Sequence, residues 1–264
     1  MKYLLLTLCL FGLVTLSSCS TKDNPVEPKP TDTGMSVVGE QTSNGIKVQL
    51  LAIDTIETGY NKLYIKLTNV ATGAIIRNAH VTVTPIMDMG THTHSTPVEQ
   101  PNSTASGDVF PTGIMFIMPN VDMDKWTVDI SVQMDGNQQV TTVHIPVEVS
   151  DSDRVRVITG SDGVDYVVSM GCLCGASVGL NDIEFTVHRE YMMSFLPVED
   201  LTPVMTPDMP SMGHGSPNNV NPVHTTLGHY EGKVNFTMRG EWRITLELKR
   251  ATESIGTVSF TTTL

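Results

Sequence analysis

The chain has 264 residues with 28 acidic and 16 basic side chains, which gives a formal net charge of -12. Phosphate binding needs a basic face, so this acidic balance argues against a nucleic-acid partner. Once an N-terminal leader is set aside, the remaining length suffices for two small domains.

The first segment, residues 1–18, is typical of a secretory signal, because Lys2 precedes an apolar run over residues 4–16 and a small-residue exit. The sequence Leu16-Ser17-Ser18-Cys19 resembles the bacterial lipobox. The resemblance implies that Cys19 becomes the lipid-modified first residue of the mature protein. The alternative is ordinary cleavage next to an incidental cysteine. We expect a protein of the bacterial cell envelope, held to a membrane by its N-terminal lipid on the periplasmic face or at the cell surface.

Residues 19–45 are polar, rich in Pro, Thr and Asp, and without an apolar period. Such a composition cannot bury a core, so it predicts a disordered tether. The folded part is expected to begin near Ile46. No later apolar run is long enough to span a bilayer.

The folded part repeats one pattern, which predicts a first domain over residues 46–150 and a second over 154–264. Three segments of the first half have counterparts in the second. They are Leu63–Thr68 with Ile183–His188, Gly113–Met118 with Gly232–Met238, and Trp126–Val132 with Trp242–Leu248. The boundary falls at the acidic break Ser150–Asp153, after which Arg154–Ile158 is either a linker or a first strand.

Apolar and polar residues alternate with period two in these segments. No segment after the signal has a sustained apolar stripe of helical period. The pattern predicts an all-β protein of two antiparallel β-sandwiches, each with one face of every strand turned inward. Trp126 and Trp242 are predicted to anchor the two cores.

Each half carries a segment in which thioethers and imidazoles crowd together. A thioether is a soft ligand that prefers Cu(I), and imidazole accepts both Cu(I) and Cu(II). We therefore predict copper as the cofactor, whereas zinc is disfavoured because no finger-like Cys/His quartet exists. An adaptable apolar contact surface is the alternative for the loop methionines. The candidate ligands are Met87, Met89, His92 and His94 in the first half, and Met209, Met212 and His214 in the second.

Other sulfur and imidazole groups leave alternatives open. Met118 and Met238 follow matching strands and either cap the cores or offer sulfur to a metal. Cys172 and Cys174 are predicted to chelate Cu(I), to form a bridge, or simply to fill a core. Further metal or redox candidates are His224 and His229, whereas His80, His144 and His188 lie in strands and are expected to be structural or exposed. No nucleophile elbow or acid–base pair stands out, so the chain is not expected to be an enzyme.

The second half resembles the YtkA-like/FixH-like domain family over Tyr166 to Leu264. The resemblance rests on three motifs, Met209-Pro210-Ser211-Met212-Gly213-His214, Gly228-His229-Tyr230 and Met238-Arg239-Gly240-Glu241-Trp242. That family is similar in turn to the CopC-like copper-binding sandwiches. The resemblance implies an immunoglobulin-like β-sandwich and a role in copper handling or in the assembly of copper respiratory enzymes. By position, it implies Met209, Met212, His214 and, more weakly, Met238 as ligands.

The first half is a diverged copy of the same motifs. Met89-Gly90 and His92 keep part of the segment, Phe110 replaces the tyrosine, and Met118-Pro119-Asn120 replaces Met-Arg-Gly. We expect a lipid-anchored, non-enzymatic protein that binds copper and passes it to or from a protein partner, for transfer, tolerance or cuproenzyme assembly. The alternative is a structural or adhesive surface module.

Overall fold

The structure is a computed structural model that describes residues 34–122, 124–192 and 194–264. Every regular element in these ranges is a β-strand. The same ranges accordingly contain no helix of the length and hydrophobicity that crossing a membrane requires. The predicted signal peptide and Cys19 lie outside the described residues.

Nine strands form the first half of the described chain. They are β1 (Ser36–Ser43), β2 (Ile46–Ala52), β3 (Gly59–Asn69), β4 (Ala79–Asp88), β5 (Thr93–His94), β6 (Val98–Glu99), β7 (Phe110–Phe116), β8 (Lys125–Met134) and β9 (Val140–Val147).

Ten strands form the second half. They are β10 (Val155–Thr159), β11 (Asp165–Met170), β12 (Gly179–Tyr191), β13 (Ser194–Pro197), β14 (Val204–Met209), β15 (His214–Gly215), β16 (Val220–His224), β17 (His229–Phe236), β18 (Glu241–Arg250) and β19 (Glu253–Thr263).

The two halves share one sheet topology. In the first half the strand orders are β1-β2-β3-β7-β6 and β5-β4-β8-β9, and in the second they are β10-β11-β12-β17-β16 and β15-β14-β18-β19. Only β13, which pairs with β12, has no counterpart. All pairings between named strands are antiparallel, so each half is an immunoglobulin-like sandwich. The predicted fold class is confirmed, and we call the halves the first and second sandwich.

The core of each sandwich comes from the inward face of alternating strands. Strand β4 buries every second residue from Ala79 to Met87, as period two requires. Trp126 and Trp242 are completely buried, each among the apolar residues of its own sandwich. Each indole Nε1 donates a hydrogen bond to a backbone carbonyl oxygen, at 2.9 Å to Met118 and at 3.1 Å to Met238. The prediction of two tryptophan anchors is therefore confirmed.

The predicted tether extends too far into the chain. Residues 36–43 form strand β1, which pairs with β2 along the edge of the first sandwich. No residue of β1 is fully buried. Backbone hydrogen bonds hold this strand, and they leave no periodic apolar signal in the sequence. After the acidic break, Val155–Thr159 is strand β10, which settles the choice between a linker and a strand.

The bend that leads into β3 is repeated before β12. In the first sandwich, the Asn61 amide donates to the carbonyl oxygens of residues 57 and 59 and accepts from the nitrogen of residue 57. Asn181 makes the same three bonds to residues 177 and 179. A glycine with positive φ stands in each bend, Gly59 at 100° and Gly179 at 117°. The repeat therefore extends to hydrogen bonds between individual atoms.

Candidate functional site

The two Met/His segments are short β-hairpins rather than free loops. Met87 and Met209 each lie at or next to the end of an inner strand, and β5 and β15 return alongside them after a tight turn. The turns contain Gly90 and Gly213, with φ of 76° and 66°. A left-handed φ favours glycine, so these residues let the chain reverse within a few positions. The hairpin fixes which side chains share a face.

A methionine, a histidine and a tryptophan lie in one row in each sandwich. In the first, Met87 pairs with His94 on one side and with Trp126 on the other. Directly opposed residues of antiparallel strands point to the same face, with Cβ atoms about 5 Å apart. The His94 ring meets the Trp126 ring edge-on, with centroids 5.4 Å apart.

The second sandwich repeats the row with different residues. Met209 pairs with His214, and the neighbouring Asp208 pairs with Arg243, so Met209 lies level with Trp242. The His214 and Trp242 rings meet edge-on at 6.1 Å. We call each Met, His and Trp row a Met–His corner, formed by Met87, His94 and Trp126 in the first sandwich and by Met209, His214 and Trp242 in the second.

The tautomer of each corner histidine is fixed by its own backbone. Nδ1 of His94 lies 3.0 Å from the carbonyl oxygen of Ser95, and Nδ1 of His214 lies 3.0 Å from that of Gly215. A carbonyl oxygen only accepts, so in each neutral ring Nδ1 carries the proton and Nε2 carries a free lone pair. Both Nε2 atoms are buried and have no hydrogen-bond partner. A buried acceptor without a partner is costly unless something else binds it.

The other predicted ligands lie around each corner and nearer the surface, in positions that we call its rim. Met212 is 60% exposed at the tip of the second hairpin, and Met238 is 39% exposed where its carbonyl receives the Trp242 indole. In the first sandwich, Met89 and Met118 are half-buried against the core, and His92 is exposed. Each corner therefore has one buried thioether and one half-buried imidazole whose Nε2 is buried, with further donors nearer the surface.

The methionines at the centre of each corner are core residues as well as candidate ligands. Met87 is fully buried and Met209 is 3% exposed. The side-chain methyl of Met209 reaches so close to Gly240 that a Cβ there would lie 2.7 Å from it. The sequence placed both methionines in loops with little core to fill, which is wrong because the inner strands continue through residues 87 and 209.

The donor set of a corner fits a soft ion. Thioether and neutral imidazole are the ligands that Cu(I) prefers, and a ligating histidine commonly donates its other N–H to a backbone carbonyl. The described ranges contain no group of three or more His, Cys, Asp or Glu residues that could hold a metal.

His229, a further metal or redox candidate, is engaged at both ring nitrogens. Nδ1 faces Glu184 and Nε2 faces Glu99, and the side chain is only 10% exposed. Glu99 belongs to the first sandwich, so these bonds cross from one sandwich to the other. The ring has no nitrogen left for a metal. Tyr60 adds an edge-on ring contact at 5.0 Å and donates its hydroxyl to Glu99 at 2.9 Å.

We call this cluster the interdomain joint, and it comprises Tyr60, Glu99, Glu184, His188 and His229. Burial alone lowers the pKa of His229, but hydrogen bonds to Glu184 and Glu99 and their charges outweigh it and raise the pKa to about 9. Burial would raise the pKa of Glu99, but the hydrogen bond and charge of His229 and the hydrogen bond of Tyr60 together outweigh that effect and lower the pKa. The joint is thus an imidazolium held between two carboxylates.

His188 lies in the same joint in the opposite protonation state. It is 3% exposed, and its Nδ1 has no hydrogen-bond partner. Burial lowers its pKa to about 4, against the opposing attraction of Glu99. His188 is therefore neutral where His229 is charged. The prediction that His188 is structural agrees with this position.

Further bonds hold the sandwiches together beside the joint. The backbone nitrogen of Tyr60 donates to Ser169 Oγ at 2.9 Å, and Arg154 Nη2 lies 3.1 Å from Glu57 Oε2. Sequence reasoning missed Tyr60, Glu99 and Glu184, because single acidic and aromatic residues far apart in sequence carry no local pattern. The only available signal was His229 inside the Gly-His-Tyr motif.

The remaining candidates have different outcomes. His224 Nε2 is buried and lies 3.8 Å from Glu199, which is beyond hydrogen-bonding distance. His80 and His144 are exposed, and His144 pairs with Asp129. Cys172 and Cys174 form a disulfide, so in this state they offer no thiolate to a metal. Both cysteines are exposed, which makes the core-filling alternative wrong.

Comparison with known proteins finds a family match within the second sandwich. Residues 175–247 match the YtkA-like family. The fold and site define a tandem immunoglobulin-like protein with a Met–His corner in each sandwich. The YtkA-like match falls within the second sandwich, and the predicted resemblance over Tyr166 to Leu264 is confirmed for residues 175–247. No curated protein gives a significant match to the chain.

Several solved structures align with most of this chain at low sequence identity. Domains 5–6 of the S-layer protein SbsC align over 86% of this chain and 96% of that one, with 12% identity and a TM-score of 0.29. FdeC, an Escherichia coli adhesin, aligns over 82% and 64%, with 14% identity and a TM-score of 0.26. The D0-D1 domains of intimin align over 78% and 93%, with 13% identity and a TM-score of 0.23. At these TM-scores we draw nothing further from them.

Proposed function

We propose that this protein is a lipid-anchored, non-enzymatic copper-binding protein of the bacterial cell envelope. It binds one Cu(I) at each Met–His corner and hands the ion to, or takes it from, a protein partner. The observation that carries the proposal is the pair of buried, unpartnered Nε2 atoms of His94 and His214. Each of these two nitrogens belongs to a histidine paired with a buried methionine of the neighbouring strand, so both corners offer a soft ion the same two kinds of donor.

The residues of a corner divide the work of binding. His94 or His214 supplies the nitrogen, and its Nδ1–H bond to the backbone keeps the ring in the ligating tautomer. Met87 or Met209 supplies sulfur from the neighbouring strand. The tryptophan and the buried apolar residues exclude water, which favours a soft, weakly hydrated ion. Copper itself supplies only its affinity for sulfur and nitrogen.

Transfer requires that the ion can be reached and released. The exposed donors at each rim, Met212 and Met238 in the second sandwich and His92 in the first, are accessible to a partner. A surface hairpin on a rigid sandwich suits such a transfer site. The anchor at Cys19 would keep the protein at the membrane, where copper enzymes of the envelope are assembled.

Anaerobic titration with Cu(I) against a competing chelator tests the metal site. We expect two equivalents for the purified protein and one equivalent for each of His94→Ala and His214→Ala. Met209→Leu keeps the apolar volume and removes the sulfur, so it should weaken the second site while leaving the fold intact. Met205→Leu is the matched control, because Met205 is equally buried in the same strand but lies four residues from the corner.

The result that contradicts the proposal is equally clear. If the protein removes no Cu(I) from the chelator, or if both histidine variants bind as the parent does, the corners are not metal sites. The chain would then be a structural or adhesive surface module, and a metal-free protein would engage its partner normally. The anchor has a separate test, since Cys19→Ser should release the protein from the membrane fraction.

A further inference from the structure

The disulfide of the second sandwich lies in a bend that differs from its counterpart. Between β2 and β3 the first sandwich has residues 53–58, whereas between β11 and β12 the second has residues 171–178, a bend two residues longer. Asn61 and Asn181 close the two bends with the same bonds. The longer bend is the one that contains the disulfide, whereas the shorter bend of the first sandwich has no cysteine.

The disulfide is too local to act as a structural staple. Cys172 and Cys174 are two residues apart, so the bridge closes a ring of only three residues. Stabilisation by a cross-link grows with the length of chain that it closes, and a ring this short restricts the unfolded chain very little. The contribution of this bridge to folding is accordingly small.

Other contacts hold the bend in place. Leu173, between the cysteines, packs against the core of the second sandwich. The nitrogen of Gly171 donates to the carbonyl oxygen of Glu184 at 2.8 Å, and that of Ala176 donates to Leu173 at 3.0 Å. None of these contacts involves the sulfur atoms. The bend therefore keeps its anchor whether the sulfurs are bonded or separate.

The bridge faces an open cleft between the sandwiches. Cys172 and Cys174 line a cleft of about 420 Å³ with residues of both sandwiches, among them Tyr60, Lys62 and Arg154. Both cysteines are exposed. Exchange at a disulfide requires that an incoming thiolate can approach a sulfur atom, and exposed bridges are the labile ones.

We propose that Cys172 and Cys174 form a thiol–disulfide exchange site that takes electrons from a dithiol of another protein. One donor thiol loses its proton and attacks one sulfur, the bridge breaks, and the other cysteine leaves as a thiolate that takes up a proton. The second donor thiol loses its proton, attacks the mixed disulfide and releases the first cysteine as a thiolate, which takes up the second proton. Two electrons and two protons pass to Cys172 and Cys174, and the donor ends as a disulfide.

Reduction of the full chain by dithiothreitol, a small dithiol, tests the site. Alkylation followed by peptide mapping reads Cys172 and Cys174 separately from Cys9 and Cys19. We expect the bridge in the native protein to be reduced within about tenfold of its rate in denaturant, because folding does not bury it. Oxidised dithiothreitol should restore it, with the tryptophan fluorescence unchanged throughout. Protection by folding of a hundredfold or more would overturn the proposal.

Variants separate exchange from a structural role. The double change Cys172→Ser with Cys174→Ser should lower Tm by no more than about 5 °C, since the ring is short. A drop of more than about 10 °C would identify the bridge as a staple and overturn the proposal. Cys174→Ser alone should accumulate a mixed disulfide at Cys172 with an added disulfide of a monothiol. Absence of that adduct in the folded variant would also contradict exchange at this site.

Discussion

The two Met–His corners are alike at their centres and different at their rims. Each centre has a buried methionine opposite a histidine whose Nδ1–H bonds its own backbone and whose Nε2 is free. The rim of the first corner carries the exposed imidazole of His92, whereas the rim of the second carries the exposed thioethers of Met212 and Met238. The two sandwiches therefore share the geometry of their strands and differ at the tips of their hairpins.

Removing the tryptophan of either corner has the largest expected effect. Trp126→Ala and Trp242→Ala should each lower the free energy of unfolding by about 3–5 kcal/mol, as for other large core aromatics. Urea denaturation measures the loss, and copper titration of the variants should show the affected corner empty. Trp126→Phe and Trp242→Phe are the matched controls, because they retain a buried aromatic ring and should lose less, through the indole hydrogen bond and the smaller side-chain volume. Unequal losses for the two alanine variants would show that the corners are not structural equivalents.

The joint, which exists once, provides a contrast with the duplicated corners. His229 has a folded pKa of about 9, above its unfolded value near 6.5, so its stabilisation is complete below pH 6.5 and is lost as pH rises through 9. His188 has a folded pKa of about 4, so unfolding is increasingly favoured as pH falls from 6.5 towards 4. The free energy of unfolding should therefore be greatest near pH 6.5. It should fall by on the order of 3 kcal/mol as the pH rises through 9.

Two glutamine variants separate the decrease in stability above pH 6.5 from the decrease below it. His229→Gln should flatten the alkaline side, and His188→Gln should flatten the acid side. His80→Gln and His144→Gln, at exposed positions, are the controls and should leave both sides as they are. An alkaline side that persists in His229→Gln would show that the joint is not held by an imidazolium.

The two asparagine bends offer a smaller test of equivalence. Asn61 is 8% exposed and Asn181 is half-buried, although each makes the same three bonds. An unsatisfied buried polar group costs more than an exposed one. Asn61→Ala should therefore cost about 2 kcal/mol and Asn181→Ala about 1 kcal/mol in chemical denaturation. The reverse order would mean that the second bend, which carries the disulfide, depends on its asparagine more strongly.

Substitutions of the rim residues should have the smallest effects, and these effects should be on copper affinity. Met212→Leu should weaken Cu(I) binding at the second corner by about tenfold or less, and His92→Ala should weaken Cu(II) binding at the first by a similar factor. Chelator competition with each oxidation state measures both. Met192→Leu, at a methionine that is 81% exposed and lies outside the hairpins, is the control. Identical preferences of the two corners for Cu(I) and Cu(II) would remove the distinction between the rims.

The sequence predicted the features that repeat locally and missed those that depend on distance. Alternation and the two tryptophans predicted the strands and their cores, because period two is imposed by the backbone itself. Strand β1 was missed, since an edge strand held by backbone bonds needs no apolar face. The corner residues were found by composition, but the burial of Met87 and Met209 depends on strands from elsewhere in the chain. The joint unites Glu99 with His229, 130 residues apart, through sheets that no local pattern specifies.

The outer strands of the two hairpins are only two residues long. Strand β5 is held through the pairs of Met87 with His94 and Asp88 with Thr93, and β15 through two equivalent pairs. A strand held by only two residue pairs opens far more often than the whole sandwich unfolds. On the copper proposal, brief peeling of these strands would be the gate through which an ion enters and leaves. The lifetime of each bound ion would then depend on the local opening of the two residue pairs in its own hairpin, and not on the stability of the whole domain.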